Sequence, residues 1–295
     1  MWWACGRTAT ALPWHAMTAN SWLARRVFHW AHQGGAREGP SNTLCAMRRG
    51  LAAGAHGLEL DVHRTRDGHL VVAHDDDVQR MTGSSGRIAT STLEQLRMLD
   101  AAHQWAPGEV TLASGPDDAY PLRHQGPGPV DPELRIPTLQ EVFDAFPGVP
   151  LNLEIKRWRA ALPLAKVVKG LARDDVIVVS IRPWALWLFR RRAGAAPFAP
   201  SPIGLVLIWL ASRAGLSLPN RGAVAIQVPL ELMGRKVTDR RLVKAARRAG
   251  LAVHVWTLDE PALVRRALDL DVDGIMTDRP SVVAAVLAER GVAWR

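Results

Sequence analysis

Short apolar runs alternate with helical patterns from residue 27 to the end of the chain, and this alternation constrains the fold more than any other feature of the sequence. Strands separated by helices predict a parallel sheet with helices on its outside. About eight strands in a chain of this length favour a closed barrel, and no GxGxxG motif follows a strand to indicate a dinucleotide-binding sheet. The predicted strands are 27–32, 57–63, 69–74, 151–155, 176–181, 203–208, 223–228, 252–257 and 274–277.

The fold class predicted from this pattern is α/β, a somewhat distorted TIM-type (β/α)8 barrel with a small insertion. Residues 1–26 lack a steady periodicity and are interpreted as a variable N-terminal extension, so the barrel is expected to occupy residues 27–295. Residues 102–135 are rich in Gly, Pro and Asp and are expected to form the irregular insertion. The predicted helices are 42–53, 92–99, 138–145, 160–172, 183–193, 239–249, 261–268 and 281–290.

The strongly basic composition limits the classes of partner. The formal net charge is +9 and the isoelectric point is about 10.6, so the surface attracts phosphate esters, anionic membranes or nucleic acid. The chain has neither a zinc-finger spacing nor an aromatic-rich RNA-binding signature. Nucleic acid is therefore not expected as a partner. The alternative for the positive charge is a solvated surface without a specific partner, and the oligomeric state stays open.

Cysteine usage and apolar runs indicate the location of the protein. Cys5 and Cys45 lie in unrelated contexts, which predicts a reducing, cytoplasmic environment without a disulfide framework. A secretory signal is not expected, and the longest apolar run, residues 203–211, is too short to span a bilayer. Tryptophans near the N-terminus either make peripheral membrane contact, or belong to a loose tail, or pack on the barrel; they are Trp2, Trp3, Trp14 and Trp22.

Residues 57–77 read GLELDVHRTRDGHLVVAHDDD, which is two strand-like runs around an Asp-Gly pair. A two-residue type I′ turn at that pair would place Asp61 opposite His74. Because alternate residues of a strand share a face, Glu59 and Asp61 are expected to converge with His74. Two carboxylates on a buried face repel each other, and a divalent cation such as Mg²⁺ or Ca²⁺ would resolve the conflict. The alternative is a solvent-facing hairpin with incidental charges.

Two other predicted strands end in polar side chains. Glu154 and Lys156 share a face at the carboxyl end of strand 151–155, the end where barrel active sites lie. The alternative for this pair is a salt bridge without a catalytic role. His32 ends the first strand and precedes two glycines that would let the backbone approach a ligand. A histidine in that place is able to transfer protons near neutral pH, or it is structural.

Together these segments resemble the glycerophosphodiester phosphodiesterase family. The motifs that carry the resemblance occur in the family's order, and the ordered set is far more specific than any one of them. They are 32–35 (HQGG), 40–44 (PSNTL), 57–62 (GLELDV), 72–75 (VAHD), 136–139 (IPTL), 153–156 (LEIK), 255–257 (VWT) and 274–280 (GIMTDRP).

The resemblance implies a TIM-type barrel that hydrolyses glycerophosphodiesters or lysophospholipids with one divalent metal, Ca²⁺ or Mg²⁺. It implies that the metal ligands are Glu59, Asp61 and Glu154. It further implies that His32 and His74 are the catalytic base and acid, and that Gln33, Lys156 and Trp256 contact the substrate.

Two positions depart from the family pattern. The family has His-Arg where this chain has His32 and Gln33, and glutamine lacks the charge that lets arginine hold a phosphate strongly. The family has Glu-Asn-Thr where this chain begins with Ser41, so one site carboxylate is missing. Segments 227–229 and 253–257 look closest to the lysophospholipase D branch. The alternatives left open are a cyclising lyase on the same barrel and a catalytically decayed lipid-binding protein.

Overall fold

The computed structural model describes residues 20–24, 26–108, 120–124, 129–216 and 219–292. The strands are β1 (Phe28–His32), β2 (Gly57–Arg64), β3 (Leu70–Val72), β4 (Leu151–Ile155), β5 (Val176–Val179), β6 (Ala225–Pro229), β7 (Glu231–Leu232), β8 (Arg235–Lys236), β9 (Ala252–Trp256) and β10 (Gly274–Thr277). The helices are α1 (Ser21–Ala24), α2 (Leu44–Ala52), α3 (Gln79–Thr82), α4 (Leu93–Arg97), α5 (Leu139–Ala145), α6 (Trp158–Leu171), α7 (Pro183–Arg190), α8 (Pro202–Arg213), α9 (Arg240–Arg248), α10 (Pro261–Asp269) and α11 (Pro280–Glu289).

Seven parallel strands form the curved sheet, in the spatial order β5-β4-β2-β1-β10-β9-β6. β3 adds to β2 in antiparallel fashion. Residues 197–199 connect the two outer strands, since Ala199 N–H donates to Val178 O of β5 and Val224 N–H, just before β6, donates to Phe198 O. The predicted TIM-type barrel is confirmed, and this short segment occupies the eighth strand position.

The predicted strand 203–208 is wrong, because these residues belong to helix α8. The helix begins at Pro202, whose fixed φ and missing N–H suit the first turn of a helix. Nearly every residue of the segment is apolar, so the run carries no period that separates a strand from a helix.

The hairpin between β2 and β3 has a different register from the predicted one. Val62 pairs with Val72, and Thr65 N–H donates to His69 O, so the turn contains three residues rather than two. Gly68 takes a left-handed conformation in this turn. Asp61 therefore lies opposite Ala73, whose N–H donates to Asp61 O, and the predicted pairing of Asp61 with His74 is wrong by one residue.

The apolar core lies between the strands and their covering helices. Leu58, Leu60 and Val62 on β2 and Leu151 and Leu153 on β4 are fully buried, as their alternation predicts. α2, α4 and α5 begin at threonines whose side chains accept a backbone N–H of the first turn.

Aromatic side chains fill the amino end of the barrel. Trp22 of α1 is 1% exposed and packs on Phe28 and Trp30, with ring centroids 5.5 Å away in both cases. Trp30 also contacts His254 of β9. Trp22 thus packs on the barrel, whereas Trp2, Trp3 and Trp14 lie outside the described residues.

The predicted insertion falls partly outside the described residues as well. Its described part contains a short 3₁₀ helix, Pro132–Leu134, and Trp105, whose indole N–H donates to Ala36 O at 3.0 Å. Among the helices that the structure describes, none combines the length and the apolar content needed to cross a bilayer.

Candidate active site

Three carboxylates meet at the carboxyl ends of β2 and β4. Asp61 pairs with Glu154 across the two parallel strands, and Glu59 lies two residues before Asp61 on the same face. One oxygen from each of the three carboxylates lies within 4.8 Å of the others. Glu59 and Asp61 are 4% and 1% exposed, so the cluster is withdrawn from solvent.

Two segments near β1 hold these carboxylates in place. Asn42 donates from Nδ2 to Asp61 Oδ2 at 2.9 Å and accepts from the Asp61 N–H at 3.3 Å. The main-chain N–H of Gln33 donates to Glu59 Oε2 at 3.2 Å. Gly34 turns the chain here with φ of +81°, and a Cβ at that position would meet Met47 N at 2.9 Å. This glycine therefore allows close packing on α2, a role other than the predicted approach to a ligand.

Lys156 is the cation of the cluster in this structure. Its Nζ lies 3.2 Å from Asp61 Oδ1 and 3.5 Å from Glu154 Oε2. Burial lowers the pKa of Lys156, but Asp61 and Glu154 outweigh that effect and raise the pKa above its usual value. The salt bridge between Glu154 and Lys156 thus exists, and it is part of the carboxylate cluster rather than an alternative to it.

The buried carboxylates hold protons more tightly than carboxylates in water. Burial, together with the negative charge of Asp61, raises the pKa of Glu59 to about 8. Burial also raises the pKa of Glu154, against the opposing effect of Lys156. Taking charged oxygens out of water costs free energy that their neighbours offset only in part, so the cluster favours an additional positive charge.

The two predicted catalytic histidines flank the cluster. His32 at the end of β1 donates from Nδ1 to Asp278 Oδ1 at 2.7 Å, and its Nε2 lies 3.7 Å from Glu59 Oε2. Burial lowers the pKa of His32, but Glu59 and Asp278 outweigh it and raise the pKa to about 10. His74 follows β3 and donates from Nδ1 to Asp75 Oδ1 at 2.6 Å.

A cavity of about 350 Å³ opens over these side chains. Its polar lining includes both histidines, Glu59, Glu154 and Lys156, and Trp256 at the end of β9 forms part of its wall. Asn152 and Gln227 also line it and exchange amide hydrogen bonds of 3.3 and 3.1 Å. Apolar side chains complete the lining; they are Val179, Ile181, Pro200, Pro202, Leu205 and Met276.

The donor set fits a hard divalent cation. Three carboxyl groups supply oxygen ligands of the kind that suit Mg²⁺ and Ca²⁺, and a bound cation would replace the positive charge that protons on Glu59 and His32 supply without it. Glu154 Oε1 is buried and has no hydrogen-bond partner in this structure. A buried acceptor without a donor is costly, and coordination of a cation by Glu154 would satisfy it.

The predicted site residues lie close together in the fold. Gln33 differs from the others because its main chain, and not its side chain, contacts the carboxylate cluster. The Gln33 side chain is 3% exposed, its Oε1 has no hydrogen-bond partner, and its contact with the cluster runs through the main chain. Asp61 lies beneath the cavity, held by Asn42.

Sequence reasoning assigned no role to three residues that orient the site. Asp278 orients His32, Asp75 orients His74, and Asn42 orients Asp61. All three lie within motifs that the resemblance singled out, and Asp278 directly follows a strand, which was the available signal.

Comparison with known proteins gives consistent matches over most of the chain. The model of the Glycerophosphoryl diester phosphodiesterase family matches residues 32–282. A glycerophosphodiester phosphodiesterase from Caldanaerobacter subterraneus subsp. tengcongensis is 30% identical over 270 residues, which cover 88% of this chain and 98% of that protein. The lysophospholipase D GDPD1 of Homo sapiens is 27% identical over 288 residues, which cover 86% of this chain and 83% of that protein.

Solved structures have the same fold. A phosphodiesterase from Oleispira antarctica, in complex with the product sn-glycerol-3-phosphate, superposes with a TM-score of 0.66 at 21% identity. The superposition covers 89% of this chain and 97% of the Oleispira chain.

Proposed function

The chain belongs to the glycerophosphoryl diester phosphodiesterase family, a family of phosphoric diester hydrolases, and from that premise we propose the reaction that its site performs. The proposed reaction is metal-dependent hydrolysis of glycerophosphodiesters or lysophospholipids to a phosphomonoester and an alcohol. The observation that carries the proposal is the convergence of three buried carboxylates and two histidines in one cavity.

Glu59, Asp61 and Glu154 would hold one Ca²⁺ or Mg²⁺ ion. When bound, that ion polarises a non-bridging phosphate oxygen and stabilises the negative charge that develops in the transition state. Lys156 lies beside the same carboxylates and lines the cavity, so its ammonium is in place to contact the phosphate. Trp256, which is exposed over 41% of its surface, would bound the substrate on the side of β9.

His32 would accept a proton from the attacking oxygen, which belongs to water or to a neighbouring hydroxyl of the substrate. In the second case the alcohol leaves a cyclic phosphate, which water must then open to give the phosphomonoester. Glu59 and Asp278 outweigh burial and raise the pKa of His32 to about 10, which favours the protonated form in the metal-free protein. Glu59 and Asp61 are among the charges that raise this pKa, so neutralising them by cation binding would lower the pKa of His32 and favour its basic form.

His74 would protonate the oxygen of the leaving alcohol as its bond to phosphorus breaks. Its hydrogen bond to Asp75 occupies Nδ1, so the transfer would involve Nε2. Asp75 in turn pairs with Arg80, which fixes the carboxylate that orients the ring. The floor of the cavity is buried, and each histidine is oriented by its own carboxylate. These two features support a base on one side of the phosphate and an acid on the other.

The apolar part of the cavity lining supports a substrate that has an apolar portion. A glycerophosphodiester with a small polar head group would leave these side chains in contact with water, whereas a lysophospholipid would cover them. The similarity to a relative named lysophospholipase D supports the same choice. Lysophospholipids are therefore the proposed preferred substrates. Glycerophosphodiesters, which are smaller and do not cover the apolar side chains, would bind less tightly.

The test is turnover by metal-stripped protein with Ca²⁺, Mg²⁺ or Mn²⁺ added back singly. Release of choline or ethanolamine is measured from lysophospholipids and from the corresponding glycerophosphodiesters. We expect release only after a metal is added, and a lower KM for the lysophospholipids. Phosphorus NMR should show a phosphomonoester as the final product; an accumulating cyclic phosphate would instead identify a cyclising enzyme.

Two variants on the same hairpin make a matched control for the role of His74. His74→Asn should reduce kcat by about 10²- to 10⁴-fold, the usual contribution of one acid–base group. His69→Asn removes an exposed histidine at the far end of the hairpin and should leave kcat unchanged. No turnover by the wild-type protein with any of the metals would indicate a decayed site and would end the proposal.

A further inference from the structure

The helices α7 and α8 expose an unusual number of large apolar side chains. On α8, Val206 and Leu210 are 56% and 53% exposed, and Trp184 on α7 is 64% exposed. The exposed positions of α8 are spaced by three or four residues, so they form one stripe on the outside of the helix. We call this surface the α7–α8 face; its exposed side chains are Trp184, Trp187, Ile203, Val206, Leu207 and Leu210.

The charge of the same region is entirely positive. Residues 176–230 contain six arginines and no lysine, aspartate or glutamate, although the whole chain has 28 acidic residues. Arg190 and Arg191 lie over the rings of Phe198 and Trp187, at 4.0 and 4.8 Å from the ring centroids. Arg213 at the end of α8 pairs with Asp239 at 2.7 Å, and the other five arginines frame the apolar stripe with positive charge.

The α7–α8 face is continuous with the catalytic cavity. Leu205 and Pro202 of α8 line the cavity, while Val206 and Leu210 of the same helix face solvent. Both helices follow strand positions of the barrel, so their first turns lie at the end where the cavity opens. A groove of about 560 Å³ runs between α7 and α8 and shares Pro200 with the cavity wall.

We propose that the α7–α8 face docks the protein on an anionic phospholipid membrane. Exposed tryptophans, an aliphatic stripe and flanking arginines are the composition of surfaces that lie in the membrane interface. Each basic side chain near an anionic bilayer adds attraction that weakens as salt screens it. In this position the mouth of the cavity would lie at the level of the lipid head groups.

A second copy of this chain fits the face less well. A symmetric dimer would bring the same surface of two subunits together, and here that would place arginines against arginines. An anionic bilayer supplies both the apolar phase and the opposite charge. The docking proposal does not depend on the proposed reaction, because it concerns attachment and not turnover.

The test is sedimentation of the full chain with vesicles of phosphatidylcholine, with or without phosphatidylglycerol. We expect binding to the anionic vesicles that weakens as NaCl rises, and little binding to phosphatidylcholine alone. The variant Val206→Glu/Leu210→Glu should bind the anionic vesicles at least about tenfold more weakly than the wild type, because two glutamates replace the apolar contacts.

The matched control is Met98→Glu/Leu263→Glu, which makes the same charge change at exposed apolar side chains elsewhere and should bind like the wild type. Circular dichroism and thermal unfolding verify that both variants fold. Equal binding by the two variants, or no binding by the wild type, would refute the proposal. Sedimentation velocity adds a second check, since a wild-type dimer that only Val206→Glu/Leu210→Glu dissociates would assign the face to a second copy instead.

Discussion

At the amino end of the barrel, Trp22, Phe28 and Trp30 fill the space between the strands with aromatic rings. At the carboxyl end, the same strand layer buries carboxylates beside a single ammonium and leaves Glu154 Oε1 without a hydrogen-bond partner. The first end is filled mainly by aromatic rings, although Trp30 Nε1 and both ring nitrogens of His254 also lack hydrogen-bond partners there, and the second end concentrates three carboxyl groups. The amino end therefore stabilises the fold, whereas the carboxyl end holds groups that lower stability and are useful only for binding and chemistry.

Substitution of Glu59 should show the largest effect and should lower activity without lowering stability. Glu59→Gln keeps the size of the side chain but removes a metal ligand, so kcat/KM should fall by about 10³-fold or more. The metal-free variant should be at least as stable as the metal-free wild type, because a buried neutral amide removes the cost of either burying the Glu59 carboxylate or protonating it. Steady-state kinetics and thermal unfolding measure the two quantities; wild-type turnover in Glu59→Gln would remove Glu59 from the site.

Substitution of Trp22 should show the opposite pattern. Trp22→Ala leaves a cavity at the amino end and should lower the free energy of unfolding by about 3–5 kcal/mol. Below its unfolding transition the variant should keep the wild-type kcat/KM, because the cavity over the carboxylates lies at the other end. Trp184→Ala is the matched control, since Trp184 is exposed and its loss should change stability by about 0.5 kcal/mol or less. Equal losses for the two variants would contradict the structural role of the amino end.

The change in the free energy of unfolding with pH should be the smallest of these effects. It depends on titratable groups at the carboxyl end of the barrel. The pKa values of Glu59 and His32 are raised to about 8 and about 10, so the folded metal-free protein retains protons that the unfolded chain releases. A group with a raised folded-state pKa stabilises below its unfolded pKa and loses that contribution as the pH rises. The free energy of unfolding should therefore fall between about pH 6.5 and about pH 8.

The other buried histidines do not change the free energy of unfolding in this pH range. Burial lowers the pKa values of His29, His63 and His254 to about 3, 4 and 3, so these histidines affect stability only below about pH 6.5. Urea unfolding of the metal-free protein at several pH values measures the slope, and Glu59→Gln should make it shallower. A variant slope as steep as that of the wild type would mean that Glu59 titrates normally.

The sequence by itself determined the barrel and the place of the site. Alternation of apolar and polar residues fixes which face of β2 and β4 is buried, and parallel strands bring their carboxyl ends to one end of the sheet. These two rules place Glu59, Asp61 and Glu154 at the same end of the sheet, and the family resemblance implied that they bind one metal. The error of one residue in the β2–β3 register left them unaffected, because their spacing depends on β2 and β4 and not on the hairpin turn.

Only the tertiary structure decided the features that depend on partners distant in sequence. Residues 203–208 are helical because residues 197–199 already occupy the eighth strand position, which no local pattern reveals. Lys156 lies among the carboxylates because closure of the barrel brings its ammonium to Asp61 and Glu154. Asp278 lies 246 residues after His32 in the sequence and accepts a hydrogen bond from its imidazole. Hydrogen bonds and ion pairs of this kind depend on distances that arise only when the barrel closes. The periodicity of apolar residues in the sequence therefore does not predict them.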